Sequence, residues 1–324
     1  MLSAFFWCIA GIVVLVVGAE VVVRAAAKVA GDLGIPPLIV GLTIVAIGTS
    51  APELAVGVEA ALKGSGALAV GNIAGTNTLN LLLILGLSAL IDPLALRLQT
   101  LRIDLPVMVA SAFALLAMAW DGILTRVEGM AMIVGAIVYT LVIVRLSRRE
   151  NLRVKAEYIE EFGVLPPERS RFETVINLAG LALGIAIIIT GADWLVDGGV
   201  TLARSLDISE SLIGLTVVAI GTSMPELVTT IVGTLRKERD VAVGNLLGSS
   251  IYNILAILGV TCLVPAEGVR FGSELVTVDI PVMALVACLC VPVFFSGRRI
   301  SRPEGLLFVT AYGLYLVYLI TGRT

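Results

Sequence analysis

Gly41–Leu54 reads GLTIVAIGTSAPEL, and 173 residues later Gly214–Leu227 reads GLTVVAIGTSMPEL. The copies agree at 12 of 14 positions, and each sets a proline and a glutamate inside an otherwise apolar run. A second pair follows at the same offset, GNIAGTNTLN at Gly71–Asn80 and GNLLGSSIYN at Gly244–Asn253. Further out, Gly18-Ala19-Glu20 matches Gly191-Ala192-Asp193, the DLPVM run from Asp104 matches the DIPVM run from Asp279, and Glu128-Gly129 matches Glu304-Gly305. The whole chain is therefore a duplication.

Its setting follows from composition. The chain is 58% hydrophobic and 15% charged, with mean hydropathy +1.03, whereas a soluble domain is about a quarter charged. The charges fall between long apolar runs, the pattern of a polytopic membrane protein. At about 20 apolar residues per crossing, the predicted spans are 2–23, 36–62, 67–91, 104–120 and 127–145, then 174–196, 209–235, 240–264, 276–296 and 304–321. With no Lys or Arg before Arg24 and no cleavage site, Leu2–Val23 is predicted to be a retained span rather than a signal peptide. The expected architecture is all-α, with ten transmembrane helices as two five-helix repeats, residues 1–145 and 173–324, joined by a polar cytoplasmic linker, 146–172. Five is odd, so the second repeat must enter the membrane inverted. Inverted repeats place substrate sites at the midplane between the halves. Of the 22 Lys and Arg residues, 17 then fall on one side, which the positive-inside rule makes cytoplasmic, with both termini outside.

Several chemistries are excluded. Histidine is absent, so there is no Ser-His-Asp triad, histidine metal site or histidine proton relay. The four cysteines form no CxxC pair and lie in apolar runs, where they read as packing residues. No basic tract suggests nucleic acid. GTS does not fit the GxSxG nucleophile elbow. No enzyme activity, resident cofactor or obligatory protein partner is expected; the partners are the bilayer and small ions.

As a helix, the first signature places Ala46, Thr49, Ser50 and Glu53 on one face. Pro52 lacks an amide and clashes with the carbonyl of Gly48, so the helix should break there and turn backbone oxygens toward that face. Ala219, Thr222, Ser223, Glu226 and Pro225 repeat the arrangement. On the partner helices Asn72, Thr76 and Asn80, and likewise Asn245, Ser249 and Asn253, stand at i, i+4 and i+8. Gly71/Gly75 and Gly244/Gly248 are small-xxx-small pairs for close helix packing. The pooled donors are hard oxygens, which suit Ca²⁺ or Na⁺ rather than zinc or copper. An ionised glutamate at the bilayer centre costs roughly 3 kcal/mol or more if uncompensated, so a cation is its natural partner. Glu20 and Asp193, near span ends, are expected to be structural, and Asp104 and Asp279 to cap helix starts.

These motifs resemble the calcium/cation antiporter superfamily, in particular prokaryotic sodium/calcium exchangers, whose two alpha-repeats carry GTSxPE and a GNxxGSNxxN-like stretch. The resemblance covers nearly the whole chain. It implies exchange of Na⁺ for Ca²⁺ by alternating access, with four mid-membrane cation sites. By position, Glu53 and Glu226 would be the shared central carboxylates. Thr49, Ser50, Thr222 and Ser223 would supply hydroxyl or backbone oxygens, and Ala46 and Ala219 backbone carbonyls. Thr76, Ser249, Asn80 and Asn253 would complete the set. The resemblance also implies sliding of the first helix of each repeat, in a prokaryotic plasma membrane. The chain departs from the family at Asn253, where some exchangers carry aspartate; with two acids instead of three, H⁺/Ca²⁺ or K⁺-dependent exchange stands as the alternative on this scaffold. A passive channel is a more distant one.

Overall fold

A computed structural model describes residues 2–162, 171–205 and 219–322. The helices are α1 Leu2–Leu33, α2 Pro37–Thr49, α3 Ala51–Leu62, α4 Gly66–Ile91, α5 Thr100–Asp121 and α6 Arg126–Phe162. They continue with α7 Arg171–Ser205, α8 Ala219–Thr222, α9 Met224–Leu235, α10 Arg239–Leu263, α11 Leu275–Phe295 and α12 Arg302–Gly322. Among the described residues, seven helices are long and apolar enough to cross a membrane, or eight if the bent pair α2–α3 counts as one span. The predicted span 209–235 is described only from Ala219, and the part of the second signature over Gly214–Val218 lies outside the described residues.

The break predicted at Pro52 is present. Helices α2 and α3 meet at 42°, with Ser50 at φ −83°, ψ 11°. The counterpart Ser223 sits at φ −89°, ψ 3° between α8 and α9. Two boundaries differ from expectation. Helix α1 continues ten residues past Val23 through an alanine-rich stretch until Gly34, whose φ of +63° ends it as a left-handed cap. Helix α6 continues past 145 to Phe162, because Leu146–Phe162 is rich in Glu, Arg and Lys and meets no Gly or Pro before Gly163. The first part of the expected linker is thus a helical extension, and residues 163–170 lie outside the described residues.

Two short ribbons fix the relation between the halves. Strand β1 (Leu94–Ala95), just after α4, pairs with β4 (Arg299–Ile300), just before α12; β2 (Ile123–Leu124), before α6, pairs with β3 (Val269–Arg270), after α10. Helix α4 starts against β3, since Gly66 abuts the Arg270 carbonyl, and ends beside β1. Helix α10 starts beside β1, where Arg239 bonds Asp92 and Arg97 bonds Asp240, and ends at β3. The two helices therefore run antiparallel, and 26 residues of α4 separate the ribbons by about 39 Å, enough to span a bilayer core of about 30 Å. They are the central pair: 78% of an 18-residue apolar window of α4 and 83% of that of α10 are buried, against 33% for α1 and 28% for α6 and α7. The arginines sort accordingly, with Arg97, Arg239, Arg299 and Arg302 at the β1–β4 end and Arg126 and Arg270 at the other.

Helices α1 and α7 pack on each other through duplicated glycines. A Cβ on Gly11 would lie 2.6 Å from the Leu195 amide, and one on Gly191 would lie 2.7 Å from that of Leu15. Their apolar cluster of Leu15, Ala19, Val22, Leu181 and Ile188 is distinct from the main core built on α4, α5, α10 and α11, and also takes in Val40 and Val45 of α2, Val232 of α9 and Val241 of α10. The outer face of α1, including Phe5, Phe6, Ile9 and Ile12, is exposed, as a lipid-facing helix requires.

Candidate functional site

The broken helices bring their polar faces to the midpoints of α4 and α10. Glu53 and Glu226 are both fully buried. Each sits in the first turn after the break, with its proline at the start of the new helix, where a missing amide costs nothing. The halves interlock here. Ser50 Oγ donates to Glu226 Oε1 at 3.0 Å, and Ser249 Oγ lies 3.4 Å from both Glu226 Oε1 and the Ala46 carbonyl oxygen. Thr49 Oγ1 donates to Asn245 Oδ1 at 3.0 Å and lies 3.3 Å from the Ala46 carbonyl oxygen. On the opposite side Ser223 Oγ lies 3.3 Å from Thr76 Oγ1. Asn80 and Asn253 are fully buried at the first residue of a π-helical turn, Asn80–Ile84 and Asn253–Leu258. Such turns loosen the backbone ladder and are frequent at functional sites.

Every predicted site residue whose surroundings are described is buried in this region: Ala46, Thr49, Ser50, Glu53, Thr76, Asn80, Thr222, Ser223, Glu226, Ser249 and Asn253. Ala219 opens α8, and its surroundings lie outside the described residues. Buried polar atoms almost always find a partner. Here Glu53 Oε1 and Oε2, Glu226 Oε2, Asn80 Oδ1 and Asn253 Oδ1 have no hydrogen-bond partner among the described residues. These are five oxygens, three of them carboxylate, on elements that hydrogen bonds join across the halves. Leaving such groups buried is costly unless something positive meets them.

Gly244 and Gly248 press against α2: a Cβ on Gly248 would lie 2.5 Å from the Leu42 carbonyl oxygen. Asn245 is fully engaged there, donating to Thr230 Oγ1 at 3.3 Å while accepting from Thr49. At the counterpart positions, a Cβ on Gly75 would meet nothing within 4 Å among the described residues. Gly71, Asn72, Gly75 and Thr76 line a cavity of about 80 Å³ with Ile220 and Tyr315. Residues 211–218, the counterparts of the α2 stretch that meets Gly244 and Gly248, lie outside the described residues.

Two expectations change. Asp104 and Asp279 do not cap helices; each ends a π-helical turn, Thr100–Asp104 and Leu275–Asp279, and is buried. Tyr139 donates to Asp104 at 3.0 Å and Tyr315 to Asp279 at 3.1 Å, so these duplicated acids are tied to tyrosines from α6 and α12. The offset of 176 between Tyr139 and Tyr315 was the available signal. Asn77, one residue beyond the i, i+4, i+8 row, also enters the site: its amide bonds the Ser250 carbonyl and Asn253. Glu20 is structural, as expected, joining Arg24 and Arg236.

The chain belongs to the sodium/calcium exchanger protein family, whose pattern it matches over residues 3–145 and 176–321. It is 37% identical over 323 residues to inner membrane protein YrbG of Escherichia coli, covering 98% of this chain and 96% of that one. It is 30% identical to sodium/calcium exchanger MaX1 of Methanosarcina acetivorans over 97% of this chain and 98% of that one. Its fold matches a solved structure of the sodium-calcium exchanger NCX_Mj with a TM-score of 0.83 and 25% identity, covering 98% of this chain and 99% of that one.

Proposed function

We propose that this protein exchanges Na⁺ for Ca²⁺ across the membrane by alternating access at the Glu53/Glu226 site. The observation that carries the reading is that five buried oxygens of Glu53, Glu226, Asn80 and Asn253, on elements bonded to one another across the two halves, have no hydrogen-bond partner among the described residues. Ala46, Thr49, Ser50, Thr76, Ala219, Thr222, Ser223 and Ser249 would complete the oxygen set. Two carboxylates balance the charge of one Ca²⁺ or of two Na⁺, so the ions compete for one place. The uncompensated pair resists crossing a low-dielectric core, and coupling follows because only a loaded site moves.

The architecture in this proposal is ten helices in two inverted repeats, 1–145 and 173–324, supported by the antiparallel course of α4 and α10. The separate apolar cluster of α1 and α7 supports their movement as one body across the rest. The arginine-rich β1–β4 end would face the cytoplasm, both termini the outside, in a prokaryotic plasma membrane.

The test is Ca²⁺ uptake into proteoliposomes loaded with Na⁺ and diluted into Na⁺-free buffer, beside a matched pH gradient and a K⁺ series. Uptake should follow the Na⁺ gradient and be lost in Glu53→Gln and Glu226→Gln. Uptake by Glu53→Gln at the wild-type rate would remove the site assignment. Uptake driven by the pH gradient alone would replace the coupling ion, a reading that the presence of Asn253, an amide and not a third acid, keeps specific.

A further inference from the structure

Asn77 touches the candidate site only through Asn253, and the contact has a direction. Asn77 is buried, and its Nδ2 donates to the Ser250 carbonyl oxygen at 3.0 Å, with the Met283 sulfur at 3.8 Å. Both neighbours are acceptors, and a backbone carbonyl can do nothing else. That end of the Asn77 amide must therefore be nitrogen, which turns its Oδ1 toward Asn253. Asn253 answers with its own Nδ2, at 3.2 Å. The amide order is now set along the chain from Ser250 to Asn77 to Asn253, and Asn253 Oδ1 is left buried on the far side with no partner among the described residues.

Asparagine at position 253 is ambiguous as a cation ligand, because half of its amide end repels a cation. An unconstrained amide rotates between attractive and repulsive orientations; a constrained one presents oxygen before the ion arrives. The other half of the molecule supplies the contrast. The residue 173 positions after Asn77 is Ser250, too short to clamp an amide, and both the nitrogen and the oxygen of Asn80 are without partners among the described residues. Duplication has produced one oriented amide and one adaptable amide.

We infer that Asn77 is a positioning residue for cation binding, holding the Asn253 amide with its oxygen toward the ion through a relay anchored on the Ser250 carbonyl. The inference rests on the proposed cation site. It also makes the residue pair specific: the Asn77 oxygen suits an amide at 253 and would oppose a carboxylate there.

The experiment is a double-mutant cycle on the full chain in Na⁺-loaded proteoliposomes, reading KM and maximal rate of Ca²⁺ uptake. Asn77→Ser should raise KM for Ca²⁺ about fivefold to tenfold, the value of one hydrogen bond, with maximal rate changed less than twofold. In an Asn253→Ser background, which has no amide to orient, Asn77→Ser should leave KM unchanged. Asn77→Thr serves as the second variant if the serine protein does not assemble, with the same expectation. An unchanged KM in Asn77→Ser, or an equal rise in both backgrounds, would overturn the positioning role while leaving the cation site standing. A wild-type protein without Ca²⁺ uptake under any gradient would instead overturn the cation site itself, before Asn77 is considered.

Discussion

Replacing Gly248 with alanine would insert a Cβ 2.5 Å from the Leu42 carbonyl oxygen and 2.7 Å from the Ala46 Cβ. Both neighbours belong to helix α2 near its backbone, so relief requires α10 and α2 to separate by roughly an ångström to reach ordinary contact. Overpacking of this kind costs about 1–3 kcal/mol. Gly313→Ala is the internal control, since it lies on the exposed face of α12 and its Cβ would meet nothing within 4 Å among the described residues. Both substitutions gain about 1 kcal/mol of helix propensity, and that gain cancels in the comparison. Gly248→Ala should therefore melt below Gly313→Ala in detergent by the full clash, about 1–3 kcal/mol. Equal melting temperatures would refute the packing argument.

Two further outcomes follow from the same contacts. Tyr139→Phe removes the 3.0 Å bond to the buried Asp104, whose other oxygen has no partner among the described residues; unfolding in detergent should show a loss of about 1–3 kcal/mol. Tyr315→Phe should cost less, because Asp279 has further interactions. Arg239→Ala removes the half-exposed bond to Asp92, 2.9 Å from Nε, and should cost about 1 kcal/mol at most, an effect that shrinks as salt is added.

The duplicated apolar runs, the prolines, the two glutamates and the charge asymmetry are local properties of the chain. Each can be read in one dimension: hydropathy selects helices that cross lipid, proline breaks a helix at its own position, and an acid in an apolar run demands compensation wherever it lies. The membrane character, the family and the residues gathered at the site were legible for that reason. What the two halves do to each other was not. Thr49 meets Asn245 and Ser50 meets Glu226 across 196 and 176 residues, and near-identical motifs carry no record of those pairings. Asp104 and Asp279 looked like helix caps because acids favour helix starts, yet helices α6 and α12 fold back and bury both against tyrosines. Asn77 is one of several asparagines in its run until Ser250 and Asn253 surround its amide. Sequence determined the chemistry of this protein because hydrophobicity and charge belong to single residues. Tertiary structure decided the orientation and the partner of each polar group at the site, because those depend on contacts between residues far apart in the chain.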